Sequence, residues 1–148
     1  MHFNDIIHED IRPENIFIDE YNNAKLSTSD TSQSEANEYS SPEIFNGEPT
    51  SDESDIWALG CVLYYLCQLE HPFNKDKSKI INEPHNSIRN PFSDELIDLL
   101  NWCLKKAKNE RPTINDILIS DLAFEKAIDL KIKIPSEYNE EILANESI

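Results

Sequence analysis

Two residues near the start of this chain have the types and spacing to do chemistry together. Asp10 and Asn15 lie in the run Ile7-His8-Glu9-Asp10-Ile11-Arg12-Pro13-Glu14-Asn15-Ile16-Phe17. A carboxylate can take a proton from a substrate hydroxyl, and an amide oxygen can help hold a hard cation. The pair alone is a weak signal, because Asp-x-x-x-x-Asn arises by chance in an Asn-rich chain. The whole run from His8 to Phe17 is more specific. His8, beside Asp10, could suggest acid–base chemistry. Its other reading is structural, a ring packed under the loop, and that reading is favoured here.

The run resembles the catalytic loop of the protein kinases, in which His-Arg-Asp is followed by four residues and then Asn. One residue departs: Glu9 stands in place of the Arg. The resemblance makes Asp10 the base, Asn15 the Mg²⁺ ligand and Arg12 the contact to the transferred phosphoryl group. Further landmarks follow in order. Ile16-Phe17-Ile18 and Ala24-Lys25-Leu26 look like the two short strands after that loop, with Tyr21-Asn22-Asn23 as the turn. Tyr39-Ser40-Ser41-Pro42-Glu43 resembles the end of the activation segment. In the family that Glu pairs with a buried Arg near the end of the domain, and Arg111 stands where the partner belongs. Ser54-Asp55-Ile56-Trp57-Ala58-Leu59-Gly60 resembles the start of the central helix, and Asp55 would tie the catalytic-loop backbone. Through His71-Pro72-Phe73 the chain reads most like the NIMA-related serine/threonine kinases. The resemblance covers about residues 2–119.

Several family residues are replaced. Thr28-Ser29-Asp30 stands where Asp-Phe-Gly belongs, so a hydroxyl replaces the carboxylate that holds Mg²⁺. Glu9 would repel a phosphate on the activation segment, where the family Arg would bind one. Ala36 replaces a Thr that bonds the catalytic Asp. The segment from Thr28 to Glu43 has 16 residues, short for the family. The chain contains two Gly, Gly47 and Gly60, so it holds no glycine-rich nucleotide loop. It also lacks the Val-Ala-Ile-Lys strand.

The elements needed to position these residues can be read from the patterning. From Ile56 to Cys67 each residue is apolar, aromatic or Gly, twelve in all. A bilayer span needs about 20, so a core helix over 55–69 is expected, with Trp57, Leu63 and Leu66 buried. Ser54 or Thr50 is expected to cap it. Short helices are expected at 77–81 and 113–119. A helix opening at Ser93 should carry an apolar stripe through Leu96, Ile97, Leu99, Leu100, Cys103 and Leu104. Lys105, Lys106 and Lys108 should favour its C-terminal end. A last helix at 121–133 should be amphipathic through Leu122, Phe124, Ala127, Ile128 and Leu130. From Pro135 the chain is acidic, with a possible turn at Ile142-Leu143.

The fold expected is mainly α: a protein kinase C-terminal lobe with a small β-hairpin near 16–26 and no N-terminal lobe. Residues 1–119 form the partial kinase domain and 120–148 a C-terminal helix and acidic tail. The net charge of −16 argues against nucleic acid or anionic lipid as a partner. No signal peptide or membrane-length span is read, so an intracellular, cytoplasmic protein with protein partners is expected. Cys61, Cys67 and Cys103 read as buried thiols. No cofactor is expected for this chain, although ATP and Mg²⁺ serve the family. The resemblance with its departures implies a catalytically inactive binding or scaffold module. The alternatives are an active serine/threonine kinase represented by a truncated chain, and a non-functional gene remnant.

Overall fold

The computed structural model describes residues 6–27, 35–89, 92–130 and 132. Thr28, Ser29, Asp30 and the tail beyond 132, with its possible turn at Ile142-Leu143, lie outside the described residues. The described chain divides into two compact units at Arg111 and Pro112.

In the first unit, one 3-10 turn at Pro13–Asn15 leads into a hairpin of β1 (Ile16–Ile18) and β2 (Ala24–Leu26). The strands pair antiparallel in the register Ile16 to Leu26 and Ile18 to Ala24. Asn22 takes the left-handed backbone expected of the turn. The turn's organiser is a residue the sequence reading passed over. Asp19 accepts the Tyr21 and Asn23 N–H groups, each at 2.9 Å. Those backbone N–H groups and Lys25, 3.0 Å away, hold the Asp19 carboxyl low, at about 2.

Four helices follow: α1 (Pro42–Phe45), α2 (Asp52–Gln68), α3 (Lys77–Asn82) and α4 (Asp94–Cys103). The cap of α2 is Ser51, rather than Ser54 or Thr50. Ser54 lies in the first turn and accepts the Ser51 N–H at 3.3 Å. The acids Asp52, Glu53 and Asp55 sit in that same turn, at the positive end of the helix dipole. Nine residues of α2 are buried, more than in any other described element. Trp57 is fully enclosed and Leu63 half-buried, but Leu66 is 65% exposed, contrary to expectation. Leu59, Leu63 and Leu66 share one face, and that face runs out of the core toward the helix end. The helix stops at Leu69, which takes a left-handed conformation usually left to Gly.

Gly60 sets the distance between α2 and α4. A Cβ there would stand 2.8 Å from the Cys103 Cβ, so any larger residue would force the helices apart. Ser93 caps α4 as expected, and Leu100, Cys103 and Leu104 are its buried residues. Trp57 stacks on Phe73 with ring centroids 5.3 Å apart and planes within 5° of parallel. Lys106 does not serve the end of α4. Its ammonium lies 3.9 Å from the Phe73 centroid and bonds the Lys79 and Ile80 carbonyls of α3. Cys61 and Cys103 are buried; Cys67 is only partly so.

In the second unit, α5 (Ile114–Leu118) opens on a reciprocal cap between Thr113 and Asp116. Helix α6 (Asp121–Asp129) is capped by Ser120. Ala127 is buried, and Leu122 and Phe124 are partly so. Ile128 and Leu130 are exposed, at 60% and 68%, so the expected apolar stripe covers only part of the helix. No helix among the described residues is long and apolar enough to cross a membrane.

Candidate active site

The run around Asp10 folds as a tight turn held from below by α2. Glu9 adopts a left-handed backbone, φ 68°. This turns two successive N–H groups, those of His8 and Glu9, toward the same carboxylate. Asp55, itself buried, accepts them at 2.7 and 3.0 Å. A charged acceptor with two aligned donors gives short, strong bonds. Asp55 therefore offsets the cost of placing a non-glycine residue in that conformation, about 1–2 kcal/mol. His8 is buried beneath the loop. Its Nδ1 accepts the Asp10 N–H at 3.3 Å, which leaves the proton on Nε2 to be donated to the Ser27 carbonyl. That arrangement ties the ring into the scaffold, as the structural reading of His8 expects.

Asp10, Arg12 and Asn15 come together. Asp10 is 6% exposed. Asn15 Nδ2 donates to the Asp10 carboxylate Oδ2 at 2.7 Å and to its carbonyl at 2.8 Å. Arg12 Nε stands 3.2 Å from the Asp10 Oδ1 but is not aligned for a hydrogen bond with it. Of the two carboxylate oxygens, Oδ2 is taken by Asn15 and Oδ1 is enclosed beside Arg12 Nε. With its Nδ2 engaged, Asn15 keeps its amide oxygen as a possible cation ligand. That set does not suit Mg²⁺: Asn15 supplies a neutral oxygen, and the position that should add a carboxylate is Thr28, outside the described residues. A hard divalent cation is held chiefly by carboxylates. No step through the metal follows from these residues.

The other two departures are described. Glu9 turns its carboxylate to Thr50, whose hydroxyl donates to Oε1 at 2.7 Å. Ala36 is exposed and brings no hydroxyl toward Asp10. A small cavity of about 50 Å³ separates Asp10 from Ser40, Ser41 and Ser54. The Ser41 hydroxyl is wholly buried and helps hold the Glu43 carboxyl low.

Glu43 and Arg111 form the expected buried pair. Two parallel bonds of 2.7 and 2.8 Å join the guanidinium to the carboxylate. The side chains are 0% and 6% exposed. Ser54 Oγ adds a third donor to Glu43 at 3.2 Å. Burial by itself would raise the Glu43 carboxyl, but the bonds and charge of Arg111 outweigh it and hold Glu43 below the usual range. The remaining Arg111 donors reach the carbonyls of Lys105, Glu53 and Lys106. Its guanidinium also lies 4.9 Å from the Trp57 ring centroid. One side chain thus joins the segment before α2, the start of α2 and the loop after α4. The family resemblance pointed to the pair but not to the three carbonyls, which side-chain identities do not encode.

Tyr39 and His71 close the far side of the segment. Their rings meet edge to face at 5.3 Å. Burial pushes the Tyr39 hydroxyl up to about 12 and the His71 imidazole down to about 4.

With this geometry in place, comparison with known proteins decides the family. The protein kinase domain family matches residues 1–122. The chain belongs to the protein kinase family. It is 33% identical to the G2-specific protein kinase fin1 of Schizosaccharomyces pombe, over 89% of this chain and 20% of that protein. It is 34% identical to the serine/threonine-protein kinase Nek1 of Mus musculus, over 80% of this chain and 11% of the relative. Human serine/threonine-protein kinase Nek2 is 32% identical over 84% of this chain and 32% of its own length. These are NIMA-related serine/threonine kinases, as the sequence resemblance implied. The kinase chain spans a third or less of the length of each.

Proposed function

We propose that this kinase domain serves as a binding or scaffold module and does not transfer phosphate. The observation that carries the reading is Thr28-Ser29-Asp30 in place of Asp-Phe-Gly. Two further observations support it. The Glu9 carboxylate occupies the position of a phosphate-binding cation and is engaged by Thr50. Ala36 offers nothing to Asp10. The scaffold itself is kept: Asp55 holds the loop and Arg111 holds the segment. A fold whose ion pairs and caps are intact while its metal ligand is replaced suits the presentation of a surface to a protein partner.

A second reading has its own support. Asp10 and Asn15 are both present and hydrogen-bonded to each other, which a scaffold does not require. An active serine/threonine kinase, completed by further chain, is therefore the alternative. The experiment is a thermal-shift titration of the 148-residue chain with Mg-ATP, followed by a radiolabel transfer assay. No saturable shift and no transfer are expected. Transfer that disappears in Asp10→Ala would overturn the proposal and favour the alternative.

A further inference from the structure

The loop joining α1 to α2 is exposed from Asn46 to Pro49 and presents Thr50 at its end. Thr50 makes one contact that matters to the site: its hydroxyl donates to Glu9 Oε1 at 2.7 Å. Glu9 is the residue whose left-handed backbone, φ 68°, shapes the turn before Asp10. The turn therefore has two ties, Asp55 to its backbone and Thr50 to its side chain. The first ends on a buried carboxylate. The second is at the surface and depends on a neutral hydroxyl facing a carboxylate.

We propose that Thr50 is a phosphorylation site and that its modification releases the turn at Glu9. In the step, Thr50 Oγ1 bonds to the γ-phosphorus of a nucleoside triphosphate. The bond from that phosphorus to the β-bridging oxygen breaks, nucleoside diphosphate leaves, and the hydroxyl proton passes to the base of the modifying kinase. The donor to Glu9 is thereby lost and a group of charge about −1.5 to −2 takes its place. Like charges then face each other where a hydrogen bond stood. Ser51 caps α2 immediately after Thr50, and the first turn of that helix carries Asp52, Glu53 and Asp55, whose charges offset the pull of the helix dipole on a new phosphate. Repulsion between the phosphate and the Glu9 carboxylate is therefore what breaks the tie. Carboxylates at Glu48, Asp52 and Glu53 flank the site, so the enzyme it fits is one with a basic substrate groove. The proposal stands whether or not this domain transfers phosphate itself.

The test treats the whole chain with ATP and a protein kinase that accepts acidic sequences, then maps phosphate by peptide mass. Amide exchange at His8 and Glu9 is then read by NMR on modified and unmodified protein. Phosphate at Thr50 is expected, with exchange at both amides about two- to fivefold faster, the range an exposed charge contact produces. The acceleration should shrink at high salt. It should vanish in Glu9→Gln, whose amide can donate to the phosphate. Thr50→Val, which loses the bond without adding charge, should give a smaller acceleration. The proposal is overturned if Thr50 takes no phosphate, or if exchange at His8 and Glu9 is unchanged or slowed by it.

Discussion

Replacing Arg111 by Ala should destabilise the kinase domain more than any surface substitution. The side chain is wholly buried and all five of its N–H donors are used, two of them on Glu43 and three on main-chain carbonyls. Truncation leaves the Glu43 carboxylate enclosed without its cationic partner, the Ser54 hydroxyl remaining at 3.2 Å. Three carbonyls lose a donor at the same time. Breaking a buried pair by removing one partner costs about 3–5 kcal/mol. Domains of this size are stable by roughly 5–15 kcal/mol, so the loss is a large share of the total. With a urea m-value of about 2 kcal/mol/M, the unfolding midpoint should fall by about 2 M.

The assay is urea unfolding followed by tryptophan fluorescence. Trp57 lies under the Arg111 guanidinium, so it reports the site directly. Arg111→Lys should fall between wild type and Ala, because an ammonium keeps a charge but not the planar fork. The pH dependence gives a second check. Glu43 is held below its ordinary range in the folded state. Its contribution is therefore present above the unfolded value and is lost as pH falls through the folded one. Arg111→Ala should lose that part of the acid sensitivity. Equal midpoints and equal slopes for wild type and Arg111→Ala would refute the reasoning.

Asp55→Asn should lower stability by about 1.5–3 kcal/mol, since a neutral amide offers one weaker acceptor to the His8 and Glu9 N–H groups; urea midpoints check this. His71 is buried and its imidazole is held down at about 4. A depressed base favours the neutral form, so stability should fall as pH drops from about 6.5 toward 4, by roughly 2–3 kcal/mol. Thermal midpoints of wild type and His71→Asn across that window should converge at the acid end. Burial lowers the Lys106 ammonium to about 8. Here too the folded state prefers the neutral form, so stability should rise as pH goes from about 8 toward 10. Lys106→Met should flatten that rise, and a rise that persists in it would show that another group is responsible.

The legibility of this fold in its sequence follows the range of the forces involved. Caps and turns act over three or four residues, and most were readable: Ser93, Asn22 and the helix over 77–81 are where the pattern puts them. The Glu43–Arg111 pair spans 68 positions and was reached only through resemblance, because no local rule connects a Glu to an Arg at that separation. The burial of α2 was overread for a different reason. An apolar run says that a helix can be enclosed on all sides, while enclosure of its last turn depends on what its neighbours cover. Leu66 and Leu69, at the end of α2, are exposed at 65% and 77%.

The same distinction separates the two kinds of departure at the candidate site. Thr28 and Ala36 are losses that the sequence shows by itself, since a missing carboxylate or hydroxyl needs no coordinates. Glu9 looked like a third loss, a cation exchanged for an anion. In the structure it is also a gain, because its carboxylate receives the Thr50 hydroxyl 41 residues away. A substitution that only abolished phosphate recognition would leave that side chain unengaged at the surface. An engaged Glu9 joins the loop that carries Asp10 to the chain entering α2, and Asp55 joins the same two segments from beneath. The double attachment explains why the turn can keep a non-glycine residue at positive φ. It also makes a pairwise test available. If both ties position one turn, Glu9→Ala and Asp55→Asn should couple, and their combined destabilisation should differ from the sum by more than about 0.5 kcal/mol. Strict additivity in urea unfolding would mean that the two ties hold different things.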